Sequence, residues 1–203
     1  MSSGRPGLRH AAFLDRDGVI NIDRGYVSRR EDFAFVPGVL EGARQLHALQ
    51  FALVVITNQS GIGRGLYDEA AFQDLTSWMK QQFADADAPL SGVYHCPHHP
   101  TEAIGAYRRA CDCRKPAAGM LFAAARDLGL DLSRSVMFGD RASDLLAARA
   151  AGVPVRILLW TDARKEPDAV EPGLATSCYR RLNEAVSDDA ALAATASGTG
   201  VGP

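Results

Sequence analysis

Ala11-Ala12-Phe13-Leu14-Asp15-Arg16-Asp17-Gly18-Val19-Ile20-Asn21 is an apolar run that ends in two carboxylates separated by one residue. The four apolar residues predict a buried strand. In an open α/β sheet the carboxyl end of a strand faces the ligand crevice, so Asp15 and Asp17 would both emerge there, with Gly18 letting the chain turn sharply. Two carboxylates at a strand end can hold a metal and divide nucleophilic and acid/base work. The pair taken alone also suits a plain turn or a helix cap, and segments further along decide between the two.

A second apolar run, 51–56, ends in Thr57-Asn58-Gln59-Ser60-Gly61, and a third, Val136-Met137-Phe138, ends in Gly139-Asp140-Arg141-Ala142-Ser143-Asp144. Lys115 precedes Pro116 and a helical stretch. Each segment puts a polar group where a sheet crevice would collect it. Helical patterns lie between the strands. One covers 39–49, with Leu40, Ala43, Leu46 and Leu49 on one face; another starts at Asp68 as N-cap and runs through Phe72, Leu75, Met79 and Phe83. Two more cover 120–128, closing at Gly129, and 144–151, closing at Gly152. A final strand is expected at 153–159. This alternation predicts α/β architecture, a parallel sheet flanked by helices. One domain is expected over 8–186, with disordered tails at 1–7 and at 187–203, where Ala, Gly, Ser and Thr offer little to bury.

The chain of 203 residues fits one such domain, and its hydrophobic fraction of 47% and charged fraction of 23% are ordinary for a soluble protein. No apolar run is long enough to span a bilayer. The first nine residues carry Arg5 and Arg9 without an apolar core, so no secretory signal is expected and the expected location is the cytoplasm. A formal net charge of −2 opposes non-specific nucleic-acid binding but not a small phosphorylated ligand, which needs only local positive charge.

Three of the four cysteines crowd together. Cys96-x-His98 followed by Cys111-x-Cys113 makes two close ligand pairs across a loop, the pattern of a tetrahedral structural Zn²⁺ site with no open position. His99 could stand in for His98. Such a site would stiffen the loop and fix Arg114 and Lys115 directly after it, and a guanidinium fork held in place can recognise phosphate. Cys178 has no partner and is expected to be a buried small hydrophobe. His10, His47 and His95 read as packing or surface residues. Arg24, Arg29, Arg64, Arg108 and Arg109 read equally well as solvated charge or as phosphate ligands. Gly61-x-Gly63-x-Gly65 lacks the spacing of a dinucleotide fingerprint and is read as a tight phosphate-proximal loop.

The ordered set of DRDG, a strand-terminal Thr, Lys115 and GDRASD resembles the haloacid dehalogenase-like (HAD) phosphohydrolases. Within them, DRDGVINIDRGYV, TNQSGIGRG, CPHHP and CDCRKP are similar to the D-glycero-D-manno-heptose 1,7-bisphosphate phosphatases of lipopolysaccharide precursor synthesis. The resemblance implies a Rossmann-like fold. One helix and one strand use much of the chain between Asp15 and Thr57, and the same holds between Thr57 and Lys115. Only a loop at 21–37 and the cysteine-rich segment 95–114 are left over, so a capless fold with a zinc-binding loop is expected.

The resemblance also implies roles. Asp15 would be the nucleophile, forming an aspartyl-phosphate; Asp17 would protonate the leaving sugar oxygen and then deprotonate water; Thr57 and Lys115 would hold and neutralise the phosphoryl group. Asp15, Asp140 and the backbone carbonyl of Asp17 would bind Mg²⁺. Asp144 either supports that metal or starts a helix. Asp23, Arg24, Gly25, Tyr26, Asn58, Gln59, Ser60, Arg114 and Arg141 would line the substrate pocket, and CPHHP aligns His98 as the zinc ligand beside Cys96, Cys111 and Cys113. The implied partner is a small phosphorylated sugar that loses its C7 phosphate; a monomer is expected without the sequence fixing it, and the anomer stays open. Histidinol-phosphate phosphatases share DRDG, TNQ, the zinc cysteines and a GDRA-type motif but tend to a shorter zinc loop. A non-catalytic module would be expected to have lost one of Asp15, Asp17, Thr57, Lys115 and Asp140, all of which are present.

Overall fold

The computed structural model describes residues 9–160 and 170–196. Among these, six strands form one fully parallel sheet: β1 (Ala11–Leu14), β2 (Ala52–Asn58), β3 (Leu90–Cys96), β4 (Val136–Gly139), β5 (Val155–Leu159) and β6 (Ser177–Tyr179), in the order β3-β2-β1-β4-β5-β6. The chain winds outward from β1 in one direction and then restarts at β4 on its other side. That reversal opens a crevice between β1 and β4 at their carboxyl ends, the place where open α/β sheets bind ligands.

Strands buried on both faces need no polar side, which is why β1, β2 and β4 read as unbroken apolar runs. Their residues still alternate between two cores. Ala12, Leu14, Leu53, Val55, Val136 and Phe138 belong to one core, under α1 (Val39–Ala48), α3 (Glu69–Asp85) and α6 (Leu182–Asp188). Ala11, Phe13, Val54, Ile56 and Met137 belong to the other, under α4 (Gly119–Leu128) and α5 (Ala142–Ala150). The expected stripe on α1 is met in part: Ala43 and Leu46 are fully buried and Leu40 packs against the core, but Leu49, just past the helix end, is exposed; that on α3 is met by Phe72, Leu75, Met79 and Phe83. Asp68 caps α3 by accepting from the Ala71 N–H, and Gly129 and Gly152 take positive φ just beyond α4 and α5. A single turn of helix, α2 (Ser60–Gly63), follows β2 at once.

Three expectations are corrected. The sheet does not end at 153–159. β6 is added after it and is held by a 2.8 Å bond from the Thr176 N–H to the Arg156 carbonyl. Cys178 lies on this strand, at the edge of the sheet, and is exposed rather than buried. The tail expected to be disordered from 187 is helical through α7 (Ala190–Ala196), where Leu192 is fully buried in the main core. One leucine among small residues suffices to dock it. Residues 1–7 and 197–203 lie outside the described part. No described helix is long and apolar enough to cross a membrane.

The loop after β1 carries only a 3-10 turn, Arg30–Asp32, and an isolated bridge between Asn21 and Phe35. The connection from β3 to α4 carries only another, Gly105–Tyr107.

Candidate active site

The carboxyl ends of β1, β2 and β4 deliver their polar residues to one place. Asp15 leaves β1 with its backbone N–H bonded to the Phe138 carbonyl of β4 at 3.0 Å. Asp140 follows β4, and one oxygen from each of Asp15, Asp140 and Asp144 lies within 4.8 Å of the others, all three residues being buried. Gly18 makes this convergence possible: its φ is +91°, and a Cβ there would stand 2.2 Å from Asp140 Oδ2.

Lys115 enters from the segment before α4 and spends all three ammonium hydrogens inside. Its Nζ lies 2.8 Å from Asp15 Oδ1, 2.7 Å from Asp144 Oδ1 and 2.8 Å from the Ile56 carbonyl. Burial lowers its pKa, but Asp144 and Asp15 outweigh burial and hold it above the usual lysine range. For Asp15 burial is again the largest influence. It pushes the carboxyl from 3.8 up to about 7 against the opposing pull of Lys115. One lysine among three buried carboxylates leaves an excess of hard oxygen donors, the donor set that suits Mg²⁺.

Asp17 is held from three sides. Arg16, the largest fully buried side chain, donates to it through Nε at 3.2 Å and Nη2 at 2.9 Å and also donates to the Val27 carbonyl at 2.8 Å. Asn21 donates to it at 3.0 Å and Gln59 at 2.9 Å. Gln59 also donates to Thr57 Oγ1 at 2.8 Å.

A cavity of about 450 Å³ opens above these groups. Its wall includes Asp15, Asp17, Thr57 and Lys115, together with eight of the nine residues expected to meet substrate: Asp23, Gly25, Tyr26, Asn58, Gln59, Ser60, Arg114 and Arg141. Arg24 is the exception. Between Asp23, which accepts from the Gly25 N–H, and the left-handed pair Gly25-Tyr26, it is turned outward and exposed. Arg141 bridges to Asp23 at 2.8 Å across the mouth. The amide of Asn58 clips the backbone of Lys115 in both directions, accepting from its N–H at 3.0 Å and donating to its carbonyl at 3.1 Å. Asp144 serves both of its alternatives at once, accepting from the Arg141 N–H at the start of α5 and pairing with Lys115. Sequence reasoning passed over Arg16, Tyr67 and Ser143, of which the latter two line the cavity. Arg16 sits between two aspartates and carries no apolar pattern that would reveal its burial.

Beside the cavity, Cys96, His98, Cys111 and Cys113 gather with their ligand atoms within 4.8 Å of one another. The sulfur separations are 3.1 Å for Cys96–Cys113, 3.3 Å for Cys111–Cys113 and 3.6 Å for Cys96–Cys111, too long for disulfides. Burial pushes the Cys96 thiol up and holds His98 below the usual imidazole range. His99 turns aside, its Nδ1 accepting from the Glu102 N–H at 3.0 Å. Arg114 donates to the His98 carbonyl at 3.1 Å, which ties the cluster to the cavity wall.

The crevice carboxylates, the strand-terminal threonine and the buried lysine define a phosphohydrolase of the HAD-like class. A family profile described as "HAD-hyrolase-like" matches residues 112–185. The D-glycero-beta-D-manno-heptose-1,7-bisphosphate 7-phosphatase of Escherichia coli K12 is 48% identical over 159 residues, 78% of this chain and 83% of that protein. The Vibrio cholerae protein of the same name is 50% identical over 151 residues, 74% and 81% of the two chains. Among solved structures, a HAD-like chain from Mesorhizobium loti superposes with a TM-score of 0.80 at 30% identity, covering 99% of this chain and 93% of that one. The D,D-heptose 1,7-bisphosphate phosphatase of B. bronchiseptica, solved with magnesium and phosphate, gives 0.73 at 29% identity, covering 88% and 96%. The chain belongs to the family of the D-glycero-D-manno-heptose-1,7-bisphosphate 7-phosphatases.

The raised Asp15 carboxyl has a consequence for stability. Folded Asp15 keeps its proton to about pH 7, whereas the unfolded chain gives it up near 3.8. Metal-free stability therefore falls as pH rises through that window, and Asp15→Asn lacks the fall. In the presence of a chelator, the Tm of the variant should gain on that of the parent from about pH 4 to about pH 7. A gap that does not change with pH would contradict the burial of an ionisable Asp15.

Proposed function

We propose that the cavity removes the C7 phosphate of D-glycero-D-manno-heptose 1,7-bisphosphate to give heptose 1-phosphate, by way of an aspartyl-phosphate on Asp15, as a step in making the heptose precursor of lipopolysaccharide core. The observation that carries this reading is the convergence of Asp15, Asp17, Thr57 and Lys115 on one cavity beside Asp140, in a chain 48% identical to an enzyme of that name. Those relatives carry the β anomer in their names, which supports the β anomer here. The same identity weighs against histidinol phosphate as the substrate.

Phosphoryl transfer asks mainly for alignment and charge neutralisation. An Asp15 oxygen attacks phosphorus in line as the bond to the C7 oxygen breaks, and Asp17 gives that oxygen a proton. Asp17 then takes a proton from the water that attacks the aspartyl-phosphate, restoring both carboxyls. Thr57 and the neighbouring backbone N–H groups hold the phosphoryl oxygens. Asp15, Asp140 and the Asp17 backbone carbonyl would hold Mg²⁺, which supplies positive charge where two anions must meet. Asp144 positions Lys115. Asp23, Gly25, Tyr26, Ser60, Arg114 and Arg141 would surround the sugar and its second phosphate. Arg24, being turned outward, is the weakest member of the expected set.

The Cys96, His98, Cys111 and Cys113 cluster fits Zn²⁺ in its donor set and convergence: a tetrahedron with Zn–S bonds of about 2.3 Å has edges of about 3.8 Å, somewhat longer than the sulfur separations of 3.1 to 3.6 Å. Four protein ligands leave no position for water, so the metal is structural, and its work is to hold the loop that carries Arg114. With only 3-10 turns in the two long connections, such loops do the enclosing that a cap would do elsewhere.

Two measurements test this. With Mg²⁺, phosphate release should be at least about a hundredfold faster from the heptose bisphosphate than from histidinol phosphate, with heptose 1-phosphate as product, and should vanish without a divalent ion. Preference for histidinol phosphate, or turnover in metal-free buffer, would overturn it. For the loop, a strong chelator should release about one zinc per chain and raise KM with a loss of thermal stability. A zinc-free protein of unchanged KM and Tm would contradict the structural role.

A further inference from the structure

Gln59 lines the cavity, yet both N–H groups of its amide are taken, one by Asp17 and one by Thr57. Its Oε1 accepts from the Tyr67 hydroxyl at 2.6 Å. The three bonds fix which way the amide points. The Tyr67 hydroxyl donates to Oε1, which leaves Nε2 facing Asp17 and Thr57. Burial pushes the Tyr67 hydroxyl up to about 12, so it stays a neutral donor at any working pH.

Tyr67 has a built seat. Its ring packs where a side chain at residue 61 would be: a Cβ on Gly61 would stand 2.2 Å from Tyr67 Cε1 and 2.8 Å from its hydroxyl oxygen. The first glycine of Gly61-x-Gly63-x-Gly65 thus makes room for an aromatic ring.

The other donors to Asp17 are local. Arg16 is its neighbour in sequence and Asn21 lies four residues on, so both travel with the loop that carries Asp17. Gln59 reaches it from the end of β2, 42 residues away, and at the same time bonds Thr57. Among the described hydrogen bonds, this is the link that registers the proton carrier against the residue that would hold the phosphoryl group.

We propose that Tyr67 is a positioning residue for leaving-group protonation: by holding the amide of Gln59, it sets Asp17 in register with Thr57. This rests on the phosphatase reading above. In the step concerned, an Asp15 oxygen bonds to phosphorus, the bond between phosphorus and the sugar oxygen breaks with its electron pair going to that oxygen, and the Asp17 proton follows it to give the free hydroxyl. A sugar alkoxide needs that proton, while a p-nitrophenolate leaves without it. Loss of register therefore slows sugar-phosphate cleavage and spares the aryl ester.

The test compares kcat/KM, which reports steps up to departure of the leaving group, on the heptose bisphosphate and on p-nitrophenyl phosphate, for the intact chain and Tyr67→Phe. The expected result is a loss of about tenfold to a hundredfold on the sugar substrate for the variant, with the aryl ester changed by less than about twofold. Equal losses on the two substrates would overturn the proposal in favour of a general packing role, and so would no loss on either. An intact chain that cleaves neither substrate would instead defeat the phosphatase reading itself.

Discussion

The ammonium of Lys115 is buried between Asp15 and Asp144 and capped by the Ile56 carbonyl, and the rest of the site is arranged around that requirement. A charge with almost no exposure must have every hydrogen satisfied, and removing one partner from such a set is costly, about 3–5 kcal/mol. The partners come from the ends of β1 and β2 and from α5, so the contact can form only when the sheet order is in place. The backbone of Lys115 is fixed as firmly as its side chain, by the two-way clip from Asn58. The same burial raises the Asp15 carboxyl to about 7 against the opposing pull of Lys115.

Around this centre two other devices set geometry. Arg16 spends its fork on Asp17 and the Val27 carbonyl, so the loop after β1 and the Asp17 carboxylate are placed together. The Cys/His cluster does the corresponding work on the opposite side through the bond from Arg114 to the His98 carbonyl. The strand ends and the loop after β1 line the cavity directly, and the cluster reaches it only through Arg114.

Much of the site was legible in the chain because buried parallel strands are written as contiguous apolar runs, and the polar residue that ends each run falls at the crevice. Asp15, Thr57 and Asp140 were found that way. Cys96, His98, Cys111 and Cys113 were found because two ligand pairs at short spacing have few other uses. Pairings that join distant segments left no local trace. Asn58 reads as a pocket residue until residue 115 is seen beside it, and Asp144 reads as a helix start until Lys115 approaches. β6 was missed because Ser177-Cys178-Tyr179 is short and half polar, as an edge strand can be, and α7 because one buried leucine docks an otherwise featureless alanine-rich stretch.

The central claim is that Asp15 takes the phosphoryl group covalently. Rapid mixing with heptose bisphosphate labelled in its C7 phosphate, followed by acid quench and peptide mapping, tests it most directly. The account predicts transient, hydroxylamine-labile label on the peptide carrying Asp15, appearing before free phosphate and decaying into it. Phosphate released with no labelled protein at any time, or label on another residue, would contradict it.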